Sequence, residues 1–288
     1  MGVFFRKATR SVPYFSEILT ASAFRDASFL PKGTCAVRHR RAKMKCGVLM
    51  KVDAAIAIIP ARFNSTRFPG KPIVQIDGKT LIEHVYRQVE KANLIGRIVV
   101  ATDDQRIFDA VRGFGGTAVM TRNDHPSGTD RLAEAAQDLP AEALVVNVQG
   151  DEPMIEPADI DRAVDAARFT DAEIVTLMTR INPDQADDPN RVKVVVDRNG
   201  MAIYFSRAKI PSGGTSFLHL GLYVYRVGFL KKFTKLERTP LEIAERLEQL
   251  RALEHGYRIR VVEVEKESWG IDTPADLEKY KWIRNSSS

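Results

Sequence analysis

Cysteine is nearly missing from this 288-residue chain: only Cys35 and Cys46 occur, and nothing after residue 46 carries a thiol. The downstream sequence must therefore fold without a disulfide, and thiolate catalysis or a thiolate metal cluster is excluded there. A cytoplasmic location fits that usage. No run approaches 18 consecutive apolar residues, so no membrane insertion is expected. The five histidines, His39, His84, His125, His219 and His255, lack the spacing of a zinc site. No G-x-S-x-G elbow is present, which argues against the usual serine acyl-transfer chemistry.

Acidic residues are scarce at one end. Residues 1 to 50 hold ten Lys and Arg against Glu17 and Asp26, a net charge of +8, whereas the whole chain carries +6. The body beyond residue 50 is thus close to neutral, and the basic balance gives no reason to expect nucleic acid as a partner. The leader reads in three ways: a targeting peptide, a disordered arm, or sequence upstream of a start at Met50. It lacks a sustained amphipathic helix and an h-region with a cleavage site, which favours the last two. We therefore divide the chain into a basic extension, 1–50, and one domain, 51–288.

In that domain short apolar runs alternate with helical periodicity. Strands are expected at 54–59, 97–102, 117–121 and 143–148, with helices over 80–93, 104–116 and about 129–138. This alternation implies an α/β, Rossmann-like domain with a mostly parallel sheet covered on both faces. The second half is richer in strands, at 172–179, 191–197, 201–206 and 220–226, with a hairpin signal at "DRNG". A long helix over 240–256, a strand over 258–264 and a closing helix from Thr273 complete the pattern.

Ligands of such a sheet bind at the carboxyl ends of its strands, where three loops stand out. "IPARFNSTRFPGKP" (59–72) gathers Arg62, Arg67 and Lys71 with Ser65, Thr66 and Gly70, the donors a polyphosphate requires. It is not a Walker A loop, because Pro72 follows Lys71 and the helix begins only near Thr80; a solvated basic loop is the plainer alternative. "NVQGDEP" (147–153) offers Asp151 as a hard oxygen donor for Mg²⁺, or is simply a turn. In "WGIDTPADL" (269–277), Thr273, Pro274 and Asp276 suffice to start a helix. Asp272 is left over and is free to share a metal with Asp151.

Together with "IVVATDD", "MTRNDHPSGTDRLAEA", "NRVKVVVD", "YFSRAKIP", "HLGLYVYR" and "LEQLRALEHG", these loops resemble the 3-deoxy-manno-octulosonate cytidylyltransferases, in order from about residue 54 to 280. The resemblance implies a nucleotidyltransferase that moves CMP from CTP to the anomeric hydroxyl of 3-deoxy-D-manno-octulosonate (Kdo), releasing pyrophosphate and activating Kdo for lipopolysaccharide synthesis. It implies a homodimer using Mg²⁺ held by Asp151 and Asp272. Arg62 and Lys71 act beside them, and Ala61, Arg62, Ser65, Lys71, Ser127 and Gly128 bind the nucleotide. Gln149, Arg207, His219, Tyr223, Glu248 and Gln249 line the sugar pocket, near a smaller β-rich excursion that also makes the dimer contact. The pattern assigns no general base. The connection 212–218 is shorter than the family's, which leaves room for a related acid sugar, 8-amino-Kdo or a sialic acid. A non-catalytic sugar-nucleotide-binding regulator is the alternative of a different class, disfavoured by the intact Lys71, Asp151 and Asp272.

Overall fold

The computed structural model describes residues 54–64 and 67–286, so the basic extension and Ser65 lie outside the described residues. Strand β1 (Ala55–Ala61) sits near the middle of a nine-stranded sheet. It pairs in parallel with β4 (Ile95–Thr102) and β6 (Leu144–Asn147), and β4 pairs in parallel with β5 (Ala118–Met120). A two-residue hairpin, β2 (Gln75–Ile76) and β3 (Lys79–Thr80), stands apart. On the other side, β10 (Phe217–Arg226) runs antiparallel between β6 and β7 (Ile174–Arg180), and β11 (Ile259–Glu263) pairs in parallel with β7. The strand β8 (Lys193–Val196) joins β10 and forms a hairpin with β9 (Ala202–Ser206), the β-rich excursion. Its turn is the "DRNG" signal: Asp197 accepts from the amides of Asn199 and Met201 at 2.8 Å each.

Helices cover both faces, as the apolar strands require. One face of β1, β4 and β6, through Ala57, Ile59, Val100 and Val146, packs with α1 (Leu81–Val89), α2 (Gln105–Gly113) and α4 (Pro157–Arg168). The other, through Ile58, Ala101 and Val145, packs with α3 (Gly128–Ala135), α5 (Val227–Phe233) and α7 (Gln249–Glu254). The helices start where the sequence supplies caps: Thr80 accepts from Glu83 N, Asp104 from Arg106 N, and Ser127 from Asp130 N. Helix α4 begins with Pro157 at its first position.

The long helix expected over 240–256 is instead two short ones, α6 (Pro240–Glu245) and α7, broken where Arg246 adopts a left-handed φ of 55°. The cause is tertiary. Glu245 leaves the helical register to accept from Ser206 Oγ (2.7 Å) and Arg207 N (2.8 Å), while Arg207 Nε donates to the Glu245 carbonyl at 2.9 Å. A closing helix, α8 (Pro274–Ser286), packs on a small third core of Ile76, Leu81, Ile271, Leu277 and Tyr280. The parallel relations bring the carboxyl ends of β1, β4, β5, β6 and β11 to one edge of the sheet, together with the amino-terminal half of β10.

Candidate active site

The loop after β1 is folded by its own residues. Gly70 has a left-handed φ of 71°, and its amide donates to the Phe63 carbonyl at 2.9 Å, so the chain doubles back before a 3-10 turn at Lys71–Ile73. A Cβ on Gly70 would lie 3.1 Å from the Phe63 ring. That ring is covered by the Arg106 guanidinium, 3.2 Å from its centroid, and Arg106 is itself held by two bonds to Asp104 at 2.9 and 2.7 Å. The turn buries Lys71, which is 8% exposed, and carries its ammonium toward the end of β6.

There Lys71 Nζ meets two carboxylates, Asp151 Oδ2 at 2.5 Å and Asp272 Oδ1 at 3.2 Å. Arg67 Nη2 approaches the other oxygen of Asp272 at 3.1 Å. Asp151 reaches this point because Gly150 lets the chain pass close to β1: a Cβ at Gly150 would be 2.8 Å from the Pro60 carbonyl oxygen. Asp272 precedes α8, whose start is capped without it, since Asp276 accepts from Thr273 N (2.9 Å) and Thr273 Oγ1 (2.8 Å).

Ala61, Arg62, Arg67, Lys71, Gly128, Gln149, Asp151 and Asp272 thus line one cleft of about 490 Å³. Among the described residues no group of three or more His, Cys, Asp or Glu side chains is arranged around a metal position. Asp151 and Asp272 are nevertheless hard oxygen donors converging on one cation, the lysine ammonium. They fit a divalent ion whose remaining positions are filled by water or substrate oxygens.

On the α3 side, Ser127 caps the helix and donates to Asp130 Oδ2 at 2.7 Å, leaving Gly128 as the residue that faces the cleft. Arg131, fully buried, fixes that side by bonding Thr121 Oγ1 (2.5 Å) and Asp103 Oδ2 (2.9 Å), at the ends of β5 and β4. On the β10 side, Gln149 Nε2 donates to the Gly221 carbonyl at 3.0 Å. The His219 ring bonds Thr176 Oγ1 at 2.9 Å and lies 5.4 Å from the Tyr223 ring. Burial pushes His219 down to about 3 and raises Tyr223, with the charges of Glu248 and Glu152 adding to the rise at Tyr223. Glu248 accepts a short hydrogen bond from the Thr129 hydroxyl. Gln249 is 5% exposed and its Nε2 has no hydrogen-bond partner among the described residues.

Arg207 stands apart from this group. Its guanidinium donates to the carbonyls of Glu245 (2.9 Å), Pro189 (3.0 Å) and Arg246 (3.5 Å), closing the end of α6. Two participants escaped the sequence reading. Arg67 was noted only as one of three cations, and its ion pair with Asp272 spans the fold. Glu152 is pushed up to about 7 by burial and by neighbouring Asp151, against the bond it accepts from Ser268 Oγ at 2.8 Å. Its signal, a second carboxylate directly after Asp151, was visible but reads equally as a turn.

A cytidylyltransferase family model matches residues 56–261. The 3-deoxy-manno-octulosonate cytidylyltransferase of Geobacter sulfurreducens is 53% identical over 241 residues, covering 77% of this chain and 96% of the relative. The enzyme of the same name from Solibacter usitatus is 53% identical over 240 residues, 81% and 95% of the two chains. The chain belongs to the 3-deoxy-manno-octulosonate cytidylyltransferase family. A solved CMP:2-keto-3-deoxy-manno-octonic acid synthetase complexed with CTP superposes with a TM-score of 0.78 at 42% identity, over 81% of this chain and 99% of that one. A glucose-1-phosphate thymidylyltransferase structure from Bacillus anthracis, 17% identical with a TM-score of 0.58, shares the fold. This cytidylyltransferase is thus an α/β nucleotidyltransferase with a mostly parallel sheet. Among the described residues no helix is long and apolar enough to cross a membrane.

Proposed function

We propose that the protein transfers CMP from CTP to the anomeric hydroxyl of Kdo, giving CMP-Kdo and pyrophosphate for lipopolysaccharide synthesis. The observation that carries this reading is the meeting of Lys71, Asp151 and Asp272 at one end of a basic cleft, in a chain about half identical to enzymes of that name. The obstacle to the reaction is repulsion: an anionic sugar acid must approach an anionic triphosphate. Arg62 and Lys71, with Ser65, neutralise and align the phosphates, while Ala61, Ser127 and Gly128 seat the nucleoside. Lys71 is rigidly placed by its buried turn, so its charge is preorganised for the oxygens on which negative charge develops. Asp151 and Asp272 would hold Mg²⁺, which when bound would screen the phosphates and polarise the reacting phosphorus.

Gln149, His219, Tyr223, Glu248 and Gln249 form the sugar pocket beside the cleft. The unpartnered Gln249 amide is a donor suited to a sugar oxygen. His219, held neutral, adds hydrogen bonding without charge. Arg207 can join this set only by exchanging carbonyl partners for the sugar carboxylate. We take 51–288 as the catalytic domain and 1–50 as an extension. We place the reaction in the cytoplasm, where CTP is supplied. A homodimer through the excursion is supported by an exposed apolar residue there, Ile203 on β9, and by exposed Ile243 on the separate helix α6. The test is pyrophosphate release from CTP and Mg²⁺ across Kdo, 8-amino-Kdo and a sialic acid. Release that is fastest with Kdo is expected, and none with Kdo would sink the reading.

A further inference from the structure

Behind the two carboxylate loops lies a second cavity of about 680 Å³, larger than the cleft and sharing no lining residue with it. One wall is apolar, made by Pro153, Met154, Tyr280 and Ile283. The rim is cationic. The acidic residues of the lining are already engaged, Glu90 with Arg87 at 2.9 Å and Glu156 with Lys266 at 3.7 Å. Among the described residues Lys79 and Lys91 make no ion pair, and the Lys91 ammonium donates to the side-chain oxygen of Gln88 at 2.5 Å. Arg284 is steered along the wall by His84, whose Nε2 donates to the Ile76 carbonyl (2.9 Å) while Nδ1 accepts from Arg284 Nη1 (3.1 Å). That is the pattern of a neutral imidazole, so His84 adds direction and not charge. Arg284 also pairs with Asp77 at 3.4 Å, a contact with which an occupant would compete.

The cavity is also mechanically joined to the cleft. Met154 and Tyr280 belong to the small core that contains Phe68 and Val74, on either side of Lys71, and Ile271, next to Asp272. A molecule pressing on Met154 and Tyr280 therefore bears on every segment that positions the Lys71, Asp151 and Asp272 group. We propose that this cavity is a regulatory site for a small organic phosphate with an apolar or aromatic body, whose occupancy changes affinity for CTP. Two lysines and an arginine around an apolar wall match that chemistry: the phosphate meets the rim and the body covers Met154 and Tyr280.

Binding stands apart from the proposed reaction, and only the coupling to CTP rests on that reading. The test uses phenyl phosphate and inorganic phosphate as probes, with titration calorimetry on the full chain. It compares wild type with Lys79→Glu/Lys91→Glu, both exposed positions, and with the cleft variant Lys71→Ala. Phenyl phosphate is expected to bind wild type and Lys71→Ala alike, about tenfold tighter than inorganic phosphate. The double variant is expected to lose about tenfold or more in affinity. Saturating phenyl phosphate should shift the CTP dissociation constant at least about threefold in wild type and not in the double variant. No binding at about millimolar probe, or binding lost in Lys71→Ala and kept in the double variant, overturns the site. Binding with an unchanged CTP dissociation constant overturns the regulatory role. Because CTP affinity is read without any sugar, failure of the acid-sugar assignment leaves this outcome intact.

Discussion

Ile271 donates its backbone N–H to the carbonyl of Asp151 at 2.8 Å, and through this bond the loop after β6 is tied to the segment before α8. Asp151 and Asp272 are distant in sequence, yet one main-chain bond sets the spacing of their carboxylates. Lys71 then bridges them, so removing the ammonium leaves two carboxylates facing each other. For Lys71→Met we expect a folded protein whose kcat for pyrophosphate release falls by about 10²- to 10³-fold. A loss confined to KM would show that Lys71 binds CTP equally in ground and transition states.

Asp272→Asn keeps the helix cap, which belongs to Thr273 and Asp276, and removes one charge from the proposed metal pair. The Mg²⁺ concentration for half-maximal turnover should rise by about tenfold or more with unchanged circular dichroism. Chelation of divalent cations should abolish wild-type turnover, and added Mg²⁺ should restore it. Turnover that persists after chelation contradicts the assignment of both aspartates.

Gly150→Ala forces a Cβ against the Pro60 carbonyl oxygen, a backbone atom that cannot swing away. Overpacking of this kind costs about 1 to 3 kcal/mol, so the urea midpoint should drop. Activity should fall further than stability explains, because the shift is transmitted to Asp151. A variant as stable as wild type would mean that β1 yields at its carboxyl end.

His219 is held neutral far below its ordinary value of 6.5. The unfolded chain therefore binds a proton that the folded one refuses, and the contribution of this site is complete above about pH 6.5 and lost as pH falls toward 3. Below about pH 6 the site costs up to about 1.4 kcal/mol per pH unit. In His219→Gln that slope should be missing from the pH dependence of urea unfolding. Parallel curves for the two proteins would contradict the half-buried, neutral ring.

Arg207→Ala should cost about 1 to 2 kcal/mol, because carbonyls at the end of α6 lose their donor. If the guanidinium also exchanges onto the sugar carboxylate, the KM for Kdo rises while that for CTP stays fixed. An unchanged Kdo KM removes Arg207 from the pocket.

Much of this architecture was legible because the local signals agree with the fold. The caps at Thr80 and Asp104 and the turn at Asp197 act within a few residues of themselves, and the apolar stretches of β1, β4 and β6 announce a sheet covered twice. The cleft residues Arg62, Lys71 and Asp151 were legible as loop residues at strand ends. What eluded the sequence depends on contacts between distant segments. The break at Arg246 arises from Ser206 and Arg207, on another strand, drawing Glu245 out of register. Arg67 reaches Asp272 across the fold, and nothing near either residue records the partner. The helix α4 carries a weak periodic signal because its apolar positions are mostly alanine, with Ile160 and Val164 the only large ones buried.

The placement of α8 has a consequence for how the protein is made. The strands β1, β4, β5 and β6 are contiguous in the sheet and all leave the ribosome early, so a parallel half-sheet with Lys71 and Asp151 can assemble first. Asp272 emerges after every strand, and its backbone neighbour closes on Asp151 only then. On the proposed metal assignment, a chain that ends before Asp272 lacks one of the two carboxylates that would hold Mg²⁺. Under that assignment, competence to consume CTP arrives only when the segment before α8 has been made.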